Sequence, residues 1–389
     1  MNNIITDLSY SGDQFGYYTV GPNFKTYSKL LAIEEMRRTG IHLEWHFNEP
    51  QYQAHDWHQE PQESIEELYR QRAQEIRDKY DYVVLWYSGG PDSWNILNTF
   101  IKNNIRIDEI ANFCSWEADH GNKHSYFNEE IFVTAIPKVQ KILEQHPYIK
   151  HRLVDLSPMM QDIYLRSDVK LEYIYNIKGI ASANSLTRSF LRDYIDDYRN
   201  IIDSGRRMCF VWGTEKPRVT TINNRYHAMF LDIFSETNIR IQSLANQGYF
   251  DEWFYWAPST AALVSKQCHI LKRALETGVP GDALMTSVQE QFHCPKNKIN
   301  GQYLRNDIYH TLIYPGWDVT TLIQPKPVNA LLSERDDWFW KQNEFNESSA
   351  RYAKLGIKEL ISRLGNQWLN DPCDVTKGIK ACPKFYSLE

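Results

Sequence analysis

The chain has 389 residues, with 12 Trp, 24 Tyr, 42% hydrophobic residues and a formal charge of −6. Such a composition excludes a disordered chain and a disulfide scaffold, argues against a global basic field for nucleic acid, and leaves length for two or three domains. No apolar run approaches the roughly 18 residues of a membrane span. Met1 to Asp7 lacks the basic start and apolar core of a secretory signal, so a cytoplasmic protein is expected.

In chain order, Thr26 to Arg38 reads as an amphipathic helix stopped by Gly40, and His42 to Phe47 alternates like a strand. Gln51 to Gln62 is polar and aromatic, as in a loop. Ser64 to Lys79 is a second helix, with Ile65, Leu68, Ala73 and Ile76 as its apolar stripe. These elements make an N-terminal α+β section over 1–79. Tyr82 to Tyr87 is then a hydrophobic strand, 93–103 a helix and Ile107 to Phe113 a second strand, which together form a βαβ unit. After the polar stretch Ser115 to Ser125, Tyr126 to Gln145 reads as a helix broken or kinked at Pro137. Arg152 to Leu156 is a short strand, 158–201 is mainly helical with a break at Gly179, and Met208 to Trp212 and Ala228 to Phe234 are further strands. The alternation predicts an α/β fold with a doubly wound, mainly parallel sheet over 80–265. A mainly helical C-terminal region, 266–389, is expected to cap that core or receive a substrate.

The most informative residues are Ser88-Gly89-Gly90-Pro91-Asp92-Ser93, between the first strand of this core and its helix. Adjacent glycines let the backbone approach an anion and turn its N–H groups inward. The helix N-terminus adds positive partial charge and unsatisfied donors. Ser88 and Ser93 supply hydroxyls, and Asp92 supplies a carboxylate for a metal ion that neutralises phosphate. The spacing and the Gly-Lys-Ser/Thr ending of a Walker A loop are absent. A tight turn is the plain alternative for the same two glycines. A later strand ends in Gly213-Thr214-Glu215-Lys216-Pro217-Arg218. Ser88 and Gly213 both fall at the C-terminal ends of strands, where open α/β sheets bind ligands.

The six-residue segment resembles the SGGxDS pyrophosphate-binding loop of the PP-loop ATP pyrophosphatase superfamily, a resemblance that covers about half of the chain. It implies a HUP-like core, ATP and Mg2+ as cofactors, cleavage of ATP between the α- and β-phosphates, adenylation of an acceptor and release of pyrophosphate. It further implies that Ser88, Gly89, Gly90 and Ser93 hold the pyrophosphate portion and that Asp92 positions the metal. Lys216 and Arg218 match the second basic phosphate contact of PP-loop ligases and thiolases. Asn2 stands where a glutamine-hydrolysing domain of the asparagine-synthetase kind begins with cysteine, so any ammonia or amine is expected from elsewhere, including a partner protein. The tail Lys380 to Lys384 does not match that of the sulfonucleotide reductases. The resulting expectation is an asparagine-synthetase-like ligase that activates a carboxylate or carbonyl acceptor for amide or amine ligation. Two rivals stay open: thiolation of a nucleobase, with a sulfur-donating partner and Cys114 as the candidate thiol, and a non-catalytic ATP-binding module of a larger assembly.

Other candidates have plainer readings beside them. Cys373 and Cys382 lack the further CxxCxxC that a four-thiolate zinc site would need. Cys268-His269 and His293-Cys294 have no ligand-like spacing. Cys209, inside a strand, reads as a small core residue. His120 and His124 lie in a polar segment suited to a lid or to plain solvation. Trp253, Tyr255 and Trp256 suit base stacking or core packing, and Lys266 and Lys272 suit a phosphate contact or a solvated helix face.

Overall fold

The computed structural model describes residues 16–26, 32, 35, 36, 38–114, 116, 117, 121–124, 128–158, 191–213, 216–230, 248–278, 284–286, 302–304, 306–317 and 384–389. At the N-terminal end, β1 (Tyr17–Val20) pairs antiparallel with both β2 (Lys25–Thr26) and β3 (Leu43–His46). Thr26, expected to open a helix, is therefore strand, and helix is described at 32, 35, 36, 38 and 39. A short helix, α1 (Glu49–Ala54), occupies the start of the expected 51–62 loop. Pro50 sits in its first turn, and Tyr52 points inward and is fully buried. α2 (Ile65–Lys79) begins where the side chain of Ser64 accepts a hydrogen bond from the Glu67 amide at 3.1 Å, and Leu68, Tyr69, Arg72, Ala73 and Ile76 form its buried face.

β4 (Tyr82–Trp86) follows, buried from Val83 onward as expected for a strand covered on both faces. It leads into α3 (Pro91–Lys102), β5 (Glu109–Cys114), a π-helical stretch (Glu130–Ala135), α4 (Ile136–Gln145) and β6 (Lys150–Asp155). Pro137 does not break the helix expected over 126–145. It falls in the first turn of α4, and the wider π turn before it absorbs the hydrogen bond that proline cannot donate. Most of 158–201 lies outside the described residues. From it emerge a turn of helix at 191–194 and α5 (Asp196–Asp203), which leads to β7 (Met208–Trp212).

Two differences follow. Of the strand expected at 228–234, residues 228 and 229 belong to β9 (Arg225–Met229), which folds back antiparallel on β8 (Arg218–Ile222) in a separate sheet and does not join the parallel one, and 231–234 lie outside the described residues. The fifth parallel strand is β10 (Tyr249–Trp253), which pairs with β7, is not among the strands expected from sequence and ends at Trp253, the first residue of the aromatic cluster. The sheet order is β10-β7-β4-β5-β6 with every pairing parallel. The chain thus winds outward from β4 in one direction and then returns to its other side. The switch point lies between β4 and β7, the place where open α/β sheets bind ligands at the C-terminal ends of their strands.

α6 (Ala261–Glu276) runs continuously across position 265/266 and packs against α2. Two short strands pair antiparallel, β11 (Leu284–Thr286) with β12 (Gln302–Leu304). Then come α7 (Asn306–Ile313), which packs on α6, and β13 (Tyr386–Ser387), which adds to β9. One continuous buried core includes Trp45, Tyr52, Leu85, Phe100, Phe210, Trp256 and Tyr314. Among the described residues no helix is long and apolar enough to cross a membrane.

Candidate functional site

The Ser88–Ser93 turn sits at the switch point. The amide of Tyr87 donates to the Ala111 carbonyl at 2.8 Å, and the Asn112 side-chain amide donates to the Tyr87 carbonyl at 2.5 Å, so β5 pins the chain where it leaves β4. Gly89 has φ +85°, a conformation that disfavours a side chain, and a Cβ there would also meet the Ala135 backbone at 3.2 Å. A Cβ on Gly90 would lie 3.2 Å from a carboxylate oxygen of Glu130. Close packing by the π-helical stretch and the positive φ therefore account for Gly89 on their own, whereas the neighbour of Gly90 is the end of a flexible side chain.

The hydroxyls close the turn internally. Ser93 Oγ donates to the Gly90 carbonyl (3.1 Å) and accepts from the Ser88 amide (3.2 Å), while Ser88 Oγ lies 3.2 Å from Ser93 Oγ and accepts from the Gly90 amide (3.3 Å). Ser93 is buried and its one proton is already used, so it shapes the turn; Ser88 remains partly exposed. The amides of Gly89, Asp92 and Ser93 have no acceptor among the described residues, as expected at a helix start whose cap, Gly90, lacks a side chain. Three donors with no acceptor among the described residues, at the positive end of a 12-residue helix, suit an anion.

The sequence-predicted basic segment reaches this turn. Gly213, just after β7, packs so tightly on the first turn of α3 that a Cβ would lie 2.9 Å from the Ser93 nitrogen. Three residues later, Lys216 Nζ donates to both oxygens of Asp92, at 3.0 and 3.1 Å. Arg218 is half-buried at the start of β8 and is not among the partners of Asp92.

Two tyrosines complete the cluster, and sequence reasoning gave neither a role at the turn. Tyr314, one residue beyond α7, donates to Asp92 Oδ1 at 2.5 Å. Tyr255 donates to the Asp92 carbonyl at 2.8 Å and accepts from Asn95 at 3.1 Å. No local pattern could have revealed Tyr314, which lies 222 residues from Asp92 in the chain. Burial alone would push the Asp92 carboxyl up, but the charges of Lys216 and His310 and the Tyr314 hydrogen bond outweigh it and hold the group below the usual carboxylate range. Burial, and then the neighbouring Asp92 charge, raise the Tyr314 hydroxyl well above the usual phenol value, so it stays a donor.

Magnesium commonly binds one or two carboxylates together with substrate phosphates. Asp92 fits that part once Lys216 gives up its bonds, because both carboxylate oxygens now accept protons from protein donors. Among the described residues no group of three or more His, Cys, Asp or Glu is arranged to hold a metal without such phosphates.

The remaining sequence candidates lie elsewhere. Cys114 ends β5 but is buried, and burial raises the thiols of Cys209 and Cys268, which disfavours the reactive thiolate. Lys266 reaches the Pro61 carbonyl and Glu60, and Lys272 the Leu388 carbonyl. His269 bonds to the Trp57 carbonyl, and His124 is exposed. Trp253, Tyr255 and Trp256 are buried. His120, Cys294, Cys373 and Cys382 lie outside the described residues. A cavity of about 500 Å3, lined by residues that include Tyr17, His46, Glu49 and Lys384, shares no residue with the turn. No family model matches the chain, and no curated protein matches it.

Proposed function

We propose that the chain is an ATP-dependent adenylating enzyme of the PP-loop type, with the five-stranded sheet as its HUP-like core and amide or amine ligation as its use. One observation carries this reading. The basic segment after β7 crosses the switch point to meet the Ser-Gly-Gly-Pro-Asp-Ser turn, with Lys216 on Asp92 at 3.0 and 3.1 Å. A tight turn needs the glycines but has no use for that lysine.

In this reading the amides of Gly89, Asp92 and Ser93, with the Ser88 hydroxyl, bind the pyrophosphate portion of ATP. Ser93 holds the turn in shape, Lys216 neutralises charge on the departing pyrophosphate, and Arg218 extends the basic edge of the site. Asp92 would hold Mg2+, which when bound supplies further charge neutralisation on the phosphates. An acceptor carboxylate or carbonyl oxygen forms the new bond to the α-phosphorus as the bond to the β-phosphate oxygen breaks. Pyrophosphate leaves with that electron pair, and a neutral amine or ammonia then forms a bond to the activated carbon as the carbon–oxygen bond to AMP breaks, AMP taking that electron pair and the nitrogen losing a proton to solvent. An anionic oxygen attacks without a general base, in keeping with a site built from donors and cations. Burial of the described cysteines, the candidate Cys114 among them, favours ligation over thiolation.

Release of pyrophosphate and AMP from ATP and Mg2+, measured across pools of carboxylic acids, amines and nucleosides, tests the reading. The expected result is release that depends on one pool and falls at least about a hundredfold in Lys216→Ala, the scale of losing one electrostatic contact to developing charge. Release of ADP and phosphate would overturn it. Tight ATP binding with no release from any pool would favour a non-catalytic ATP-binding module.

A further inference from the structure

Tyr314 is fixed from every side. Its ring is fully buried and stacks between Tyr255 and His310, each 5.7 Å away. Its backbone is held by Tyr69, which donates to the Ile313 carbonyl at 2.8 Å and accepts from Gln267 at 2.9 Å. Two residues on, Gly316 (φ +81°) brings the chain against the ring of Trp94, and Trp317 packs on the same ring at 5.3 Å. A segment of the C-terminal region thereby clasps the first turn of α3 and delivers one hydroxyl to Asp92.

The two donors to that carboxylate differ in kind. Lys216 carries its charge on a flexible four-carbon stem that can re-aim, whereas the Tyr314 ring has nowhere to go. If Lys216 turns to an anion at the free amides of the loop, Asp92 stays behind as a charge with 21% of its side chain exposed. An ionised group in that position needs a remaining donor. We infer that Tyr314 is a positioning residue that holds the Asp92 carboxylate in place through its hydrogen bond while Lys216 transfers from Asp92 to a phosphate at the loop. The inference rests on the nucleotide reading above and adds to it a residue from outside the strand–loop–helix unit.

A double-mutant cycle tests it. ATP and inorganic pyrophosphate binding would be measured by calorimetry for wild type, Tyr314→Phe, Asp92→Asn and the double variant, with urea unfolding of the same four proteins. Phenylalanine keeps the stacked ring, so the fold is expected to survive. Loss of one hydrogen bond to a charged group predicts binding about tenfold weaker in Tyr314→Phe. In the Asp92→Asn background the same change is expected to alter binding less than about twofold, because the charge it serves is gone. Unchanged binding in Tyr314→Phe, or equal losses in both backgrounds, would overturn the inference and leave Tyr314 a packing residue. If wild type binds neither probe, the nucleotide reading fails and the lysine transfer with it. Unfolding then still reads the Tyr314–Asp92 coupling, so the two failures are told apart.

Discussion

Two carboxylates of this molecule are surrounded by the same kinds of partner and end in different situations. Glu252, on β10, accepts from Arg72 at 2.7 Å, Lys79 at 2.6 Å and the Tyr80 hydroxyl at 2.5 Å. Asp92 accepts from Lys216 and the Tyr314 hydroxyl. The Arg72 and Glu252 side chains are 3% and 8% exposed, while those of Lys216 and Asp92 are 14% and 21% exposed. Arg72 also donates to the carbonyls of Trp253 and Phe254, so its guanidinium bonds are spent on closing the end of β10. A planar fork locked by several acceptors cannot leave, and a single ammonium on a flexible stem can. One cluster therefore joins α2 to the sheet edge, and the other is free to rearrange at the switch point.

The strongest test of that contrast is Arg72→Met. It leaves Glu252 buried with only Lys79 and the Tyr80 hydroxyl as donors and is expected to cost about 3–5 kcal/mol in urea unfolding, the range for breaking a buried pair by removing one partner. ATP binding by the fraction that remains folded is expected to be unchanged. A cost under about 1 kcal/mol would mean that the Glu252 cluster is no more sealed than the Asp92 one.

Gly213→Ala acts on the other side. Its Cβ would lie 2.9 Å from the Ser93 nitrogen and 3.0 Å from the Asp92 carbonyl carbon, so the first turn of α3 must move. Overpacking of this kind costs about 1–3 kcal/mol. Here binding should weaken beyond what the stability loss explains, because the shifted amides are those assigned to the phosphates. Stability loss with intact binding would separate the turn from the ligand.

The parts of this contrast differ in how well the sequence discloses them. β4, the turn and α3 were legible because an apolar run, paired glycines and helical spacing agree on one element order. Lys216 was legible as a basic residue closing a strand. β10 was not, because Asp251 and Glu252 interrupt its apolar pattern, and Glu252 is acceptable inside only through donors remote in the chain, Arg72 (180 residues away), Lys79 and Tyr80. The β8–β9 hairpin did leave a local signal: Asn223 and Asn224 both take positive φ, at 50° and 63°, the two-residue turn that asparagine favours. The clasp by Tyr314 depends on the docking of α7 against α6, which periodicity cannot convey.

The smallest effect expected is in Asp92→Asn, and its sign separates the two clusters. The folded carboxyl of Asp92 lies below its unfolded value of about 3.9. The stabilisation it contributes is therefore complete above about pH 4 and is lost as pH falls through the folded value. Asparagine keeps an acceptor for Tyr314 but removes the charge, so stability at pH 7 should drop by about 1 kcal/mol, as for a partly exposed ion pair that also holds a hydrogen bond. The acid limb of the stability curve should become shallower in proportion. Glu252 is depressed too, with burial pushing it up and Arg72 and its other donors outweighing that, so part of the acid limb survives in Asp92→Asn. Unfolding free energies of wild type and variant between pH 2.5 and 6 measure the difference. Identical acid limbs would mean that Asp92 is no charged partner of Lys216 in solution, and the lysine would then have to reach the loop unaided.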